Sequence, residues 1–92
     1  MVKIDFKAIE YLEIMEDYVH LIDGKSIQTL TTLKKIVQQL PEIQFKRIHR
    51  SYIVAVSKVQ WMQNRTLKLN HIELPVSDSY IEEVKNWIST IK

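Results

Sequence analysis

Hydrophobic and polar residues alternate in the first quarter of the chain. The alternation runs through residues 8–13 and again through residues 18–22, with the polar break Met15-Glu16-Asp17 between them. A period of two residues indicates half-buried strands, and Asp23-Gly24 is a strong signal for a hairpin turn. We therefore predict two strands joined by a loop near residue 16, followed by a returning strand over residues 25–30.

A helical spacing replaces the alternation in the middle of the chain. The apolar residues that recur at steps of three and four are Leu33, Ile36, Val37 and Leu40. This spacing predicts a helix of about three turns that ends before Pro41, with Thr29 or Thr31 as its N-cap. A helix of this length is only marginally stable by itself, and we therefore expect its apolar stripe to pack on the sheet.

Strand signals then dominate residues 45–76. Five short signals cover residues 45–48, 51–56, 59–63, 66–69 and 72–76, with turn candidates at Asn64-Arg65 and Asn70-His71. Such dense strands favour a meander of antiparallel strands over alternating strands and helices.

Helical spacing returns at the end of the chain. A second apolar stripe contains Ile81, Val84, Ile88 and Ile91, and Ser77 or Ser79 can act as its N-cap. With one glycine, two prolines and no repeat or linker, residues 1–92 are predicted to form a single domain. The predicted fold class is mostly β, with one short middle helix and a C-terminal helix.

The composition excludes several kinds of site. The 92 residues include no cysteine, which excludes disulfides, thiolate nucleophiles and zinc-cysteine sites. His20, His49 and His71 lack the spacing of metal ligands on a helix, and no GxSxG or glycine-rich loop is present, so we expect no metal, no cofactor and no catalytic site. The longest apolar run is residues 52–56, far short of the ~20 residues that span a bilayer.

Two groups of residues receive purely structural interpretations. The carboxylates that lie near each other in the sequence, Glu10 with Glu13 and Glu82 with Glu83, are expected on solvated faces. The aromatic residues expected to pack in the core are Tyr52, Tyr80, Trp61 and Trp87.

The net charge of +2 hides an uneven distribution of charge along the chain. Residues 44–72 contain no Asp or Glu, and their six cations are Lys46, Arg47, Arg50, Lys58, Arg65 and Lys68. A concentration of this kind is typical of a surface that binds a polyanion. The alternative is that the strands place these side chains on different faces, where they are only solvated.

Arg50 carries the most specific chemistry of this segment. It falls at the predicted junction of two strands, where a side chain can project freely. Its guanidinium can hold guanine O6 and N7 or clamp a phosphate. The structural alternative is an ion pair with an acid near the N-terminus.

Four ordered segments resemble one known family. Residues 45–54, FKRIHRSYIV, resemble the F-x-R-V-H-R-S-[YF]-[IL]-V core of the LytTR family of bacterial DNA-binding domains. Similar motifs of that family match IEYLE with DYV in residues 9–19, TLKKIVQQLP in residues 32–41 and LPVSDSY in residues 74–80. The resemblance implies an elongated domain of about ten short antiparallel strands with small helices.

The resemblance also implies a function and its residues. Domains of this family bind duplex DNA through loops that enter successive major grooves and bend the DNA. Carried over by position, the loop contacts are Asp17, Tyr18, Val19, His49, Arg50, Ser77 and Ser79. Arg50 is then the base-reading residue, and the expected phosphate contacts are Lys46, Arg47, Lys58 and Arg65. The cation count predicts about four to six phosphate contacts per domain.

The implied partner is double-stranded DNA in the cytoplasm, bound as a homodimer where sites occur as direct repeats. In this family a phospho-receiver domain usually precedes the DNA-binding domain, so the chain is either an output domain from a longer protein or a stand-alone regulator. Asp78 stands where Arg or Lys is frequent in the family. Either Asp78 caps the last helix and points inward, or this loop contributes less to DNA binding.

Two other functions remain as alternatives to duplex binding. A protein-interaction module would pair its exposed strand edges with another chain. An RNA-binding β module would need exposed aromatic residues. Enzymatic function ranks last, because no nucleophile with a base can be assembled from the sequence.

Overall fold

The computed structural model of the chain describes residues 6–16, 18–22, 27–70 and 72–91. Over these residues the domain is mostly β, with eight strands and two α-helices, rather than the expected ten or so strands. Its extents of 38 × 23 × 20 Å confirm the elongated shape. The predicted hairpin turn Asp23-Gly24, and the residues Asp17 and His71, lie outside the described residues.

The first sheet has five antiparallel strands in the order β3-β2-β1-β5-β4. They are β1 Tyr11–Met15, β2 Tyr18–Ile22, β3 Ile27–Thr32, β4 Phe45–His49 and β5 Tyr52–Ala55. Helix α1, Leu33–Gln39, connects β3 to the segment before β4. The meander of β1 to β3 and the hairpin of β4 and β5 thus join through the pairing of β1 with β5.

The second sheet has three antiparallel strands, which follow the first sheet along the chain and precede the last helix. A single 3₁₀ turn, Val56–Lys58, leads into β6 Trp61–Gln63, β7 Thr66–Lys68 and β8 Glu73–Pro75, and helix α2 is Ile81–Ile91. All five strands predicted for residues 45–76 are present, although most are shorter than their signals. Neither helix in the described ranges is long and apolar enough to cross a membrane.

The hydrophobic core is divided between the two faces of the first sheet. One cluster lies between this sheet, the second sheet and α2, and includes Tyr11, Ile48, Val54, Leu67, Leu74 and Val84. The other lies beneath α1 and includes Leu12, Val19, Leu21, Ile36, Phe45 and Ile53. Because successive strand residues point to opposite faces, Ile53 and Val54 belong to different clusters.

Both helices begin later than the predicted caps imply. Strand β3 continues to Thr32, whose Oγ1 accepts a hydrogen bond of 3.3 Å from the Lys35 N–H, so neither Thr29 nor Thr31 caps α1. Helix α2 begins at Ile81, and the predicted caps Ser77 and Ser79 do not immediately precede it. Within α1 only Ile36 is fully buried, and Val37 is exposed, because so short a helix contacts the sheet along a narrow line.

Two burial predictions are wrong. Glu10 is only 8% exposed, because its backbone bonds to Ile22 and Ala55 hold it between neighbouring strands. Trp61 is 55% exposed, because β6 turns Met62 toward the core and therefore turns Trp61 outward. The other three aromatic residues pack against the first cluster as predicted, namely Tyr52, Tyr80 and Trp87.

Candidate nucleic-acid interface

One end of the five-stranded sheet brings the predicted contact regions together. The turn between β1 and β2 and the turn between β4 and β5 both lie at this end, where the Ile14 N–H donates to the Ser51 carbonyl at 2.7 Å. The segment before α2 joins them, because the Ser77 N–H donates to the Ile48 carbonyl at 3.0 Å. We name this region the turn end, consisting of Glu16, Tyr18, residues 49–51 and residues 77–79.

The turn between β4 and β5 is held by the side chain of Arg47. Its Nε donates to the His49 carbonyl at 3.3 Å, and its Nη2 donates to the Arg50 carbonyl at 2.8 Å. The pairing of β4 with β5 shifts register between Arg47 and His49, immediately before the turn whose carbonyls Arg47 holds. One guanidinium thus holds two consecutive carbonyls, because its donors form a rigid fork.

His49 supports the same turn from its other side. Its Nδ1 accepts a hydrogen bond of 3.0 Å from the Ser51 N–H. A neutral imidazole that accepts at Nδ1 carries its proton on Nε2, which remains a hydrogen-bond donor. The His49 ring packs on Tyr52 with 5.5 Å between centroids, and Tyr52 packs on Tyr11 at 6.1 Å. The turn therefore rests on aromatic side chains that reach into the core.

Arg50 lies at the exposed tip of this braced turn. Within the described part of the chain, no carboxylate forms an ion pair with its side chain. The predicted alternative, an ion pair with an acid near the N-terminus, is not found among those residues. No carboxylate of the described residues therefore competes with an anionic or hydrogen-bond-accepting ligand for this guanidinium.

A second arginine occupies a comparable turn but has a partner. Arg65 follows Asn64 in the turn between β6 and β7, where Asn64 adopts a left-handed conformation with φ of 57°. The Val76 N–H donates to the Arg65 carbonyl at 2.8 Å, which places this turn beside the segment before α2. Arg65 Nη1 forms a salt bridge with Asp78 Oδ1, and the two side chains are 65% and 81% exposed. Asp78 therefore does not point inward.

The remaining predicted contacts are dispersed. Tyr18 is exposed at the turn end, but the side chain of Val19 is fully buried and does not reach the surface. Lys46 is half-buried within β4, and Lys58 lies at the opposite end of the sheet, where β5 passes into the 3₁₀ turn. The acid-free segment, residues 44–72, thus does not form one continuous cationic ridge, because its strands place the cations at different parts of the surface.

An exposed apolar pair at the turn end was not predicted from the sequence. Met15 and Tyr18 face each other across the turn between β1 and β2, and both are exposed. Met15 was expected to lie in a polar break. Two apolar residues alone are too short a pattern to predict an exposed apolar pair. No three potential metal ligands come together anywhere in the described ranges.

Comparisons with known proteins give a consistent result. The family described as "LytTr DNA-binding domain" matches residues 1–89. The chain is similar to the "Sensory transduction protein LytT" of Enterococcus faecalis, with 37% identity over an alignment of 70 positions, which covers 70% of this chain and 29% of that protein. The protein of the same description from Bacillus cereus is 34% identical over an alignment of 85 positions, which covers 77% of this chain and 35% of that protein.

A solved structure shares the same fold. It is described as a LytTr DNA-binding domain from Bacillus cereus, and it superposes with a TM-score of 0.76 and 23% identity over 95% of this chain and 86% of the other. The chain spans about a third of the length of the two sensory transduction proteins.

Proposed function

The chain belongs to the LytTR family of DNA-binding domains, and on this premise we propose that its turn end binds double-stranded DNA for a bacterial transcription regulator. Family membership implies a non-enzymatic role. The observation that carries the proposal is the exposed guanidinium of Arg50, which has no carboxylate partner among the described residues and stands on a turn braced by Arg47 and His49.

Arg50 is proposed to read a base in the major groove. A guanidinium can donate two parallel hydrogen bonds to guanine O6 and N7, which distinguishes guanine from the other bases. The brace matters because a turn that is already ordered loses less conformational entropy on binding. The Nε2–H of His49, which has no hydrogen-bond partner among the described residues, supplies a further donor beside Arg50 for a base acceptor or a phosphate oxygen.

The segments on either side are proposed to contact neighbouring parts of the duplex. Tyr18 at the first turn, and the hydroxyl groups of Ser77 and Ser79 before α2, flank Arg50 at the turn end. We propose that the duplex bends toward the domain, so that these separate turns reach successive grooves. Energy transfer between dyes on the two ends of a duplex should rise on binding, and an unchanged signal would contradict bending.

Phosphate contacts are proposed to supply much of the affinity. Lys58 lies at the other end of the sheet and Arg65 is paired with Asp78, so we expect fewer contacts than the predicted four to six, about two, from Lys46 and Arg47. Titration of a labelled duplex at several salt concentrations tests this. We expect log K to fall with log salt with a slope of about −1.8. A flat response would contradict the electrostatic part of the proposal.

The place of the domain in a regulator is also a proposal. Because the chain spans about a third of its sensory transduction relatives, we propose that it serves as the output domain of a cytoplasmic response regulator with a receiver domain. We further propose that the domain binds as a homodimer on direct repeats. A selection of preferred sites from random duplexes tests this binding mode. Two direct repeats about one helical turn apart would support binding as a homodimer, and a single isolated site would contradict it.

Single-stranded RNA is a second candidate ligand, favoured by one observation. Trp61 is exposed on the outer face of the second sheet, and Lys68 Nζ lies 5.5 Å from the centroid of its ring. Sheet-based RNA-binding modules stack bases on such aromatic side chains beside cations. If RNA is the ligand, Trp61→Ala should abolish RNA binding and duplex DNA should compete poorly. Under the duplex proposal, Trp61→Ala leaves duplex affinity unchanged.

A protein-interaction role through strand edges has less support. The edge strands β6 and β8 have three residues each, and the longer edge strands β3 and β4 are each interrupted by a register shift in their pairing. Short and irregular edges are poor templates for an added strand. A partner that stays bound after high salt has removed nucleic acid would favour this role.

A further inference from the structure

The Arg65–Asp78 salt bridge lies next to the proposed DNA-binding surface. The backbone bond from the Val76 N–H to the Arg65 carbonyl and the bond from the Ser77 N–H to the Ile48 carbonyl fix the order of three turns. The segment that carries Asp78 therefore lies between the turn of Arg65 and the turn of Arg50. The pair is therefore adjacent to the turn on which the duplex is proposed to sit.

Asp78 cancels the positive charge of Arg65 at a place where Arg65 alone would attract a phosphate. Asp78 neutralises Arg65 and also repels an approaching phosphate. Both side chains are largely exposed, at 65% and 81%, and such pairs are only weakly stabilising. Neither partner is needed to fill the core, so the pair has little structural role.

We propose that Asp78 limits the DNA affinity of this domain by holding Arg65 away from the phosphate backbone. The inference rests on the proposed function, because it concerns the same surface and the same ligand. It assigns Asp78 an inhibitory role and makes Arg65 a latent phosphate-binding residue. Since phosphates carry no sequence information, Asp78 lowers affinity for preferred and random duplexes alike.

Asp78→Asn tests the proposal by freeing Arg65 with little change in side-chain shape. We expect a gain of roughly five- to tenfold at 0.1 M salt, and a salt slope steeper by about 0.9, because one phosphate contact is added. Asp78→Ser is the second variant, since serine also suits a turn, should Asp78→Asn fail to fold. Circular dichroism of each variant confirms that it is folded.

Two controls separate a freed arginine from a mere loss of negative charge. Glu42→Gln removes one exposed acid at the opposite end of the first sheet, and it should leave duplex affinity unchanged. Arg65→Gln combined with Asp78→Asn should remove most of the gain and return the salt slope to that of the unaltered domain, because only the relief of the repulsion by Asp78 then remains. An undiminished gain without Arg65, or no gain from Asp78→Asn in a domain that binds duplex DNA, would overturn the inference. Failure of the proposed function would look different, because the unaltered domain would then show no duplex binding.

Discussion

Two turns of this molecule each present an arginine near the same surface, yet only one arginine is free of a carboxylate partner in the described structure. Arg50 stands on the turn between β4 and β5, and Arg65 stands on the turn between β6 and β7. Both belong to the acid-free segment, but Asp78, which lies outside that segment, pairs with Arg65. The charge of a segment therefore does not determine which of its cations is available to a ligand.

The two turns also differ in how they are held. Arg47 and His49 bind the carbonyls and the N–H of the first turn, and the His49 ring rests on Tyr52. The second turn relies on a left-handed Asn64 and on one backbone bond from Val76. A side chain on the first turn is thus positioned more rigidly, as a base-reading residue requires.

The largest expected difference between the turns appears when each arginine is removed. Arg50→Ala should cost about 1 to 3 kcal/mol of binding free energy on the preferred duplex and far less on random DNA. Arg65→Ala should cost less than about 0.5 kcal/mol on either duplex, because its charge is already neutralised. Fluorescence titration measures both. Equal losses for the two variants would contradict the distinction between the turns.

Replacement of Arg47 tests the brace of the first turn. Arg47→Lys keeps the charge but cannot bind two carbonyls at once, so it should weaken binding to the preferred duplex by about 1 kcal/mol. Arg47→Met should cost a similar amount. Full affinity in Arg47→Lys with a loss in Arg47→Met would instead identify Arg47 as a simple phosphate contact.

His49 offers a smaller change in the same brace. His49→Phe keeps an aromatic ring near Tyr52 but removes the acceptor of the Ser51 N–H, and it should lower the free energy of unfolding by about 0.5 to 1.5 kcal/mol. His49→Asn is the matched control, because its side-chain oxygen can accept the same hydrogen bond. Urea denaturation measures both, and identical stability in His49→Phe and the unaltered domain would show that the bond is unimportant.

The smallest expected effect concerns the aromatic support behind the first turn. Burial raises the pKa of the Tyr11 phenol above its ordinary 10.0, and the carboxylate of Glu13 raises it further. The unfolded chain then loses this proton at lower pH than the folded domain, so stability falls as the pH rises above about 10. Tyr11→Phe should reduce this alkaline loss in thermal unfolding. An unchanged pH profile would contradict the assignment.

The sequence predicted most of the elements because their signals are local. Alternation revealed β1 and β2, and the two apolar stripes revealed α1 and α2. Which side of a very short strand faces the core was harder to predict. Strand β6 has three residues, too few for a reliable alternation, and the outward position of Trp61 was therefore missed.

The candidate site was predicted only in part because its decisive contacts are not local. The junction at Arg50 was visible in the sequence, and so was the unusual acid at Asp78. Asp78 reaches Arg65 because the segment before α2 lies beside the turn between β6 and β7, and Lys58 is at the far end because β5 runs away from the turn end. A count of cations along the chain contains none of this information.

Mapping of backbone amide chemical shifts during titration with a preferred duplex tests most directly the claim that the turn end is the DNA-binding surface. We expect the largest changes at Tyr18, at residues 49–51 and at residues 77–79, with Lys58 unaffected. The largest changes around Lys58, or on the outer face of the second sheet at Trp61, would contradict it.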